Sequence, residues 1–301
     1  MTTGGRAGVA MLNAAAGIEE LRQRGLAKVR ENQLEEAIGL YDQALPLCSD
    51  EETRELVTIN KADAMIALER SGPEIQELAR VIMRRRNPRH VCLAAYALQY
   101  KHRLEGDFKR ALFYGQLALR AAEESNDVAY ERAVLVDLGN IYEMDSQIDR
   151  AVECFEQALA LLDDAREHNN LSRGYTLENL GYCRVLTGSL DEGIKTIHEA
   201  LEYLSDPLGL VEAYIDLCYG YLEQGDVQAA RKYGEMALDC ATDSRHVRNA
   251  HYLLGEVAYT MGDAERANDH FDKLAEFYPE FRNLKSLLFA VDLRSMINLK
   301  L

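Results

Sequence analysis

Small and apolar residues recur along this chain at fixed distances from one another. In the clearest copy, Leu138 and Gly139 are followed by Ala151, twelve residues after the glycine, and then by Phe155 and Ala158. Residues spaced four and three apart lie on one face of a helix, so the second group marks a helix side that meets a neighbour. The same offsets give five more sets: Gly25, Ala37, Tyr41, Ala44; Gln99, Ala111, Gly115, Ala118; Gly181, Gly193, Ile197, Ala200; Cys218, Ala230, Gly234, Ala237; Gly255, Ala267, Phe271, Leu274. A fixed internal period determines the architecture, and this one predicts repeated pairs of helices.

Each predicted pair contains a turn residue seven positions after the small residue of its first helix. These turn residues are Asn32, Gly106, Ser146, Gly188, Gly225 and Gly262. Glycine adopts the left-handed conformation that ends a helix without strain, and asparagine does so less easily. Asp226 and Asp263 directly follow two of the glycines, where a carboxylate can cap the next helix.

These motifs resemble the tetratricopeptide repeat over roughly residues 16–280. The residues that carry the resemblance are Leu138-Gly139 and Tyr142 with Ala151, Phe155 and Ala158; Leu180-Gly181; and Leu254-Gly255 with Ala267, Phe271 and Pro279. The tryptophan usual in the first helix of this family is missing, since the chain has no Trp. The resemblance implies an all-α fold, a right-handed superhelical α-solenoid, that acts as a binding scaffold.

The spacing also predicts how the chain is organised. Residues 1–14 are expected to form a flexible lead-in, and residues 15–280 a solenoid of about seven helix-turn-helix repeats. Ala37 and Ala111 lie 74 residues apart, which fits two units, so residues 53–86 should hold a degenerate repeat. Residues 281–301 are expected to form a C-terminal capping or interaction helix.

The composition fits an all-helical chain without a membrane span. Of the 301 residues, 48% are apolar and five are proline, and no run of eighteen apolar residues occurs. The chain also starts without the charged-then-apolar pattern of a secretory signal. We therefore predict a cytoplasmic location and no membrane partner.

The residues that usually carry chemistry show no catalytic or metal-binding pattern. The six cysteines form no C-x-x-C pair and are expected to be structural thiols. The seven histidines show no ligand spacing, and His246 and His251 are five residues apart, which puts them on different helix faces. No nucleotide-binding loop, hydrolase motif or kinase set is present. We predict no enzyme activity, no cofactor and no metal site.

The net charge of −16 argues against general nucleic-acid binding, which needs an excess of Lys and Arg. One basic cluster stands out: Arg84, Arg85, Arg86 and Arg89, with Arg80 and His90 beside them. One interpretation is that these cations favour the negative end of a helix. The other is a second docking patch for an acidic partner, including RNA.

In tetratricopeptide repeats the first helices line the concave surface, and residues beside the small position point inward. The residues predicted at this partner-binding groove are Tyr96, Tyr100, Asp137, Asn140, Glu178, Tyr182, Asp216, Tyr219, Tyr252, Glu256 and Tyr259. Tyrosine supplies rigid contact area with a polar tip, so an acidic, tyrosine-lined groove is suited to a segment with basic and apolar side chains. The alternative is that some of these tyrosines pack between neighbouring helices.

These patterns predict a non-catalytic scaffold or adaptor that binds a protein or peptide segment in the groove. The alternative is a regulatory or sensor subunit that controls an enzyme or a transcription factor in a larger assembly. The C-terminal helix adds a second surface, because Phe289, Leu293, Met296 and Ile297 form an apolar stripe opposite Leu284, Leu287, Leu288 and Val291. That stripe either mediates self-association or docking, or folds back over the edge of the solenoid.

Overall fold

Helices make up most of the residues that a computed structural model describes, namely residues 3–162, 171–241 and 243–277. Within those residues there is no strand. The α-helices are α1 Thr3–Arg30, α2 Leu34–Ala44, α3 Glu51–Ala67, α4 Pro73–Arg84, α5 Pro88–Leu104, α6 Phe108–Ser125, α7 Val128–Met144, α8 Ile148–Ala160, α9 Leu171–Leu186, α10 Leu190–Ala200, α11 Pro207–Gln224, α12 Val227–Cys240, α13 Ser244–Thr260 and α14 Ala264–Phe277. A short 3-10 helix, Leu45–Leu47, follows α2. The predicted all-α fold class is therefore confirmed.

The helices pack as the repeated spacing predicts, because the small residues lie where two helices approach most closely. A Cβ atom added to Gly25 would lie 2.4 Å from Cε1 of Tyr41, and one added to Gly255 would lie 2.2 Å from Cε1 of Phe271. At Gly181 the same added atom would lie 2.9 Å from the carbonyl oxygen of Gly193. Any larger residue would force these pairs apart.

The six predicted turn residues all adopt a positive φ. The angles range from 57° at Asn32 and 59° at Ser146 to 85° at Gly225. This left-handed conformation ends the first helix of each pair and reverses the chain. The Asp226 carboxylate then accepts a hydrogen bond of 3.0 Å from the backbone N–H of Ala229, which caps α12 as predicted.

Residues 53–86, predicted as a degenerate repeat, contain two helices joined by a left-handed turn at Glu69, whose φ is 54°. The first of them, α3, begins directly after Asp50, which caps it. The Asp50 carboxylate accepts a hydrogen bond of 2.7 Å from the backbone N–H of Thr53.

The structure departs from the prediction at the N-terminal end of the chain. The structure has helix from Thr3 onward in α1, where a flexible lead-in over residues 1–14 was expected. This stretch contains no proline, and its run of alanine and other small or apolar residues is compatible with helix. The predicted C-terminal helix and its apolar stripes, residues 281–301, lie outside the described residues.

The chain divides into two compact units, Met1–Ile141 and Tyr142–Leu301. In the first unit, α3 packs against α5 as well as against its own partner α4. In the second unit, α11 packs against both α9 and α13. The first helices of successive repeats therefore contact one another in each unit, and we call the surface that they form the first-helix face of that unit.

Candidate functional site

The first-helix face of the first unit carries a tyrosine and an aspartate that contact each other. Tyr96 lies on α5 and Asp137 on α7, and the Tyr96 hydroxyl donates a hydrogen bond to Oδ2 of Asp137. Both side chains are half-buried. The sequence placed these two residues in the groove, and the structure brings them together.

Tyr100 and Asn140, the other two predicted groove residues of this unit, are also half-buried. The guanidinium of Arg103 lies 5.1 Å from the centre of the Tyr100 ring, which is a cation–π distance. A cation on this side of α5 shows that the face is not uniformly acidic.

Asp63 is a residue of this face that the sequence prediction missed. It lies on α3 and is half-buried, and among the described residues it has no hydrogen-bond or ion-pair partner. Burial raises the pKa of its carboxyl from 3.8 to about 6. The repeat spacing contained the signal, because Ala62 lies 37 residues after Gly25 and 37 before Gln99. Asp63 directly follows that small position, as Tyr100 follows Gln99.

Three tyrosines lie within electrostatic reach of Asp63. Burial raises the pKa of Tyr41 to about 12, and the charge of Asp63 contributes to that rise. Burial likewise raises the pKa values of Tyr96 and Tyr130, with smaller contributions from Asp63. All three phenols are therefore neutral near pH 7.

Asp137 is in a similar environment but has a partner. Burial raises the pKa of its carboxyl, while the hydrogen bond from Tyr96 and the charge of Arg103 both lower it. The face of the first unit thus holds two carboxylates with raised pKa values, one hydrogen-bonded to a phenol and one without a partner among the described residues.

The predicted groove residues of the second unit are mostly buried. Glu178, Tyr182, Asp216, Tyr219, Tyr252 and Glu256 are each at most 7% exposed. The rings of Tyr182 and Tyr219 lie 6.3 Å apart between α9 and α11. Tyr259 is different, since it is 44% exposed. These six side chains are largely covered because the first helices of this unit contact one another, which fits the alternative that some of the tyrosines pack between neighbouring helices. Contact of these six residues with a partner stays a prediction.

Comparison with known proteins agrees with this architecture. The model of a tetratricopeptide repeat family matches residues 249–280, which cover α14 and most of α13. Residues 249–280 therefore match a tetratricopeptide repeat, and the helix pairs described before them have the same fold. No curated protein matches it.

Solved structures with the same fold cover most of the chain. The apo form of the quorum sensor NprR from B. thuringiensis is 15% identical with a TM-score of 0.73, over 93% of this chain and 80% of that one. A signal transduction ATPase with numerous domains, with a tetratricopeptide repeat sensor, from Pyrococcus horikoshii is 16% identical with a TM-score of 0.71. That match covers 92% of this chain and 44% of the ATPase. A tetratricopeptide repeat protein from Parabacteroides merdae is 15% identical with a TM-score of 0.57, over 94% and 100% of the two chains.

The basic cluster of this repeat protein is paired with acidic side chains of the same unit. Arg84 Nη1 lies 2.8 Å from Glu77 Oε1 and 3.4 Å from Glu55 Oε1. Arg85 pairs with Glu124 at 3.1 Å. The other pairs are Arg80 with Glu77, Arg86 with Glu51, Arg89 with Asp127 and His90 with Glu55. Intramolecular pairing offsets much of the charge that a second docking patch would use.

The buried Cys92 and Cys154 are poor nucleophiles. Five of the six cysteines are buried, and all six are free thiols. Burial raises the pKa of Cys92 to about 12 and that of Cys154 to about 11, so these side chains stay protonated near neutral pH. They fill space between helices, as expected of structural thiols.

Two histidines that are distant in sequence meet between α13 and α14. His251 Nδ1 and His270 Nδ1 are 3.0 Å apart, and burial lowers the pKa of both rings. Within the part of the chain that the structure describes, no group of three potential metal ligands occurs. Among the described helices, none combines the length and apolar character that crossing a lipid bilayer requires.

Proposed function

We propose that this protein is a non-catalytic adaptor that binds an extended segment of a partner protein. The segment lies along the first-helix face of the first unit and carries basic and apolar side chains. The observation that supports this most is the acidic, tyrosine-rich environment on α3, α5 and α7, where Asp63 has no partner among the described residues.

Charge and shape both favour such a ligand. The chain carries a net charge of −16, and two carboxylates with raised pKa values lie on this face. A cationic segment would offset the cost of burying those charges and would be drawn towards the protein by its field. The tyrosine rings offer apolar contact area beside them, of the kind that dominates binding energy in many interfaces.

The buried tyrosines and acids of the second unit have a different role in this proposal. They hold α9, α11 and α13 together, so the partner segment contacts mainly the first unit. Tyr259 is the exception, because its exposed ring can extend the contact area at α13.

Regulation of an effector is the second candidate function. Two of the matching structures are described as a quorum sensor and as a tetratricopeptide repeat sensor. These matches show a shared fold alone, so they support regulation as one function that proteins with this fold can have. A regulatory subunit should be recovered with its effector in a fixed stoichiometry, whereas an adaptor should not.

A cytoplasmic location accompanies both candidates. All six cysteines are free thiols, which are ordinary in a reducing compartment. Secreted chains usually pair their cysteines in disulfides, so six free thiols support the cytoplasm.

A randomised peptide library tests the proposed function directly. Synthetic twelve-residue peptides are screened against the full chain, and binding is measured by fluorescence anisotropy. We expect the retained peptides to be enriched in Lys or Arg next to apolar residues. Tyr96→Ala should weaken their binding, whereas Phe113→Ala should not, because Phe113 is 59% exposed on α6, a second helix. Retention of acidic peptides, or of none, would contradict the proposal.

A further inference from the structure

Two histidine rings face each other between the helices of the last described repeat. His251 lies on α13 and His270 on α14, and their Nδ1 atoms are 3.0 Å apart. The ring centres are 5.3 Å apart. Because that separation equals the N–N distance extended by the radius of each ring, the two nitrogens point directly at each other. This is the geometry of a hydrogen bond between two imidazoles.

The hydrogen bond between these rings depends on how many protons they hold. A neutral imidazole has one N–H donor and one acceptor nitrogen, so one ring donates from Nδ1 and the other accepts at Nδ1. One added proton leaves the bond in place, because the accepting ring can stay neutral. A second added proton turns both Nδ1 atoms into donors 3.0 Å apart. The bond is then lost, and two positive charges repel each other at close range.

Both rings line a cavity of about 400 Å³ that α12, α13 and α14 enclose. One wall of this cavity is apolar and comes from α13: Leu254, Val257, Ala258 and Met261. Burial lowers the pKa of both histidines, because the charged form of each ring loses hydration. The positive charges of His270 and Lys273 lower the pKa of His251 further.

The other charged groups around the pair come from α12 and from α14 with the turn before it. They are Arg231 and Glu235 on α12, and Asp263, Arg266, Asp269, Lys273 and Glu276 on the α14 side. Arg231 pairs with Glu235 at 2.7 Å, Arg266 with Asp263 at 3.4 Å and Lys273 with Glu276 at 3.0 Å. Within the described lining, α13 adds no titratable side chain besides His251, and α11, which packs against α13, adds none. None of the described carboxylates in this set is buried, so water weakens their attraction for a second proton on the pair.

We propose that the His251–His270 pair is an acid-sensitive contact, which holds α14 against α13 near neutral pH and releases it when both rings are protonated. The contact lies in the second unit, so it is independent of the segment that the first unit is proposed to bind. Phe271 and Leu274 of α14 are buried in this repeat, and the Phe271 ring lies against Gly255 of α13. Release of α14 exposes these apolar side chains, so acidification uncovers a surface that is closed near pH 7.

The sign of the pH dependence follows from the direction of both pKa shifts. Histidines of the unfolded chain take up protons near pH 6.5, whereas the folded pair takes them up only at lower pH. The stability that the neutral pair provides is therefore complete above that value and is lost as pH falls below it. Each histidine lowers the folding equilibrium constant of this repeat by up to about tenfold per pH unit.

NMR of the full chain, with ¹⁵N in histidine alone, tests the hydrogen bond directly. An N–H···N bond transmits a coupling between its two nitrogens, and this labelling restricts the signal to pairs of imidazoles. We expect one coupled pair of Nδ1 resonances at pH 7.5 and no coupling at pH 4.5. Absence of the coupling at pH 7.5, or its persistence at pH 4.5, would overturn the proposal.

Hydrogen exchange measured by mass spectrometry locates the opening. After correction for the intrinsic exchange rate, protection of α14 amides in the parent chain should fall about tenfold or more from pH 7.5 to pH 5, relative to amides of α8. His270→Asn keeps a neutral hydrogen-bonding group near the Nδ1 position and should lose most of this fall. His198→Gln is the matched control, because His198 is half-buried on α10, bonds the Tyr221 hydroxyl through Nε2 and also has a pKa lowered by burial. The fall in α14 should remain in that control.

Two exchange results would contradict the acid-sensitive contact. One is an equal fall in protection of α14 in the parent chain, His270→Asn and His198→Gln. The other is no fall in the parent chain. If His270→Asn does not fold, His251→Asn makes the reciprocal change, and the nitrogen coupling in the parent chain still decides the question.

Discussion

Tyr96 of α5 donates the hydrogen bond that engages Asp137 of α7, and so links the first helices of two successive repeats. The bond fixes the direction of the phenol and gives one of the two acids on this face a partner. Asp63 on α3 has none among the described residues. Asp137 therefore helps to hold two helices together, and under the proposed function Asp63 is the acid that meets the bound segment.

Tyr96→Phe should lower the free energy of unfolding by about 1–2 kcal/mol, because it removes a hydrogen bond to the half-buried Asp137 carboxylate and leaves that charge less well satisfied. Urea denaturation followed by circular dichroism measures the change. Tyr114→Phe is the control, since Tyr114 on α6 stacks on His102 through its ring. The control should change stability by less than about 0.5 kcal/mol. Equal effects of the two variants would show that the hydrogen bond contributes nothing.

Asp63→Asn should stabilise the protein at pH 7 by about 2 kcal/mol, because it removes a carboxylate whose pKa is raised by burial. The sign of the pH dependence follows from the same shift. The folded state holds the Asp63 proton up to about pH 6, whereas the unfolded chain releases it near pH 3.8. This residue therefore lowers stability progressively as pH rises from about 4 to about 6, and the penalty is complete above that window.

Urea denaturation at pH 4, 5, 6 and 7 checks that prediction. The gain in stability of Asp63→Asn over the parent chain should grow across the window and then stay constant. Asp239→Asn makes the same change of charge at an exposed position and should show no such growth. A gain that does not vary with pH would mean that the Asp63 carboxyl has an ordinary pKa.

Gly25→Ala should destabilise the first repeat by about 2 kcal/mol or more, because the new methyl group would overlap the ring of Tyr41. Gly39→Ala in the facing helix α2 is the matched control. A Cβ there meets nothing within 4 Å, so alanine should raise stability by about 0.5–1 kcal/mol through its helix propensity. Thermal denaturation of both variants measures the difference. If both substitutions shift the midpoint in the same direction, close packing of α1 on Tyr41 is refuted.

Arg84→Gln should lower the free energy of unfolding by more than Arg80→Gln does, because Arg84 is shared by Glu77 and the buried Glu55. Arg80→Gln, which breaks only an exposed pair three residues apart, should cost less than about 0.5 kcal/mol. Both losses should shrink in 1 M salt, as screened ion pairs do. If instead Arg84→Gln leaves stability unchanged and abolishes binding of polyuridylic acid, the docking interpretation of the basic cluster is correct.

Much of the repeat architecture follows from the sequence because local chemistry determines it. The six turn residues and the small residues at helix crossings act within one helix pair, and all of those turns have the expected left-handed conformation. Burial of Tyr182 and Asp216 depends instead on how closely the first helices of different repeats approach. Spacing gives the face on which a residue lies, but not the distance to the next repeat.

The sequence alone did not predict the ion-pair partners of the arginines or the place of Asp63 on the first-helix face. Glu124 is 39 residues from Arg85, and only the folded chain shows that they pair. Asp63 lies in the repeat predicted as degenerate, where only the period marks the small position at Ala62, and the sequence prediction therefore missed it. The exposure of Tyr259 and the burial of Tyr252, seven residues earlier on the same helix, likewise depend on tertiary packing.

The central claim is that the first-helix face of the first unit binds a cationic segment, and the most direct measurement is the dissociation constant of the best library peptide. It is compared for the parent chain, Tyr96→Ala and the control Phe113→Ala at two salt concentrations. We expect Tyr96→Ala to weaken binding about 30-fold, equivalent to about 2 kcal/mol, with Phe113→Ala unchanged and affinity falling as salt rises. Equal affinity for all three proteins, or binding that does not respond to salt, would contradict the claim.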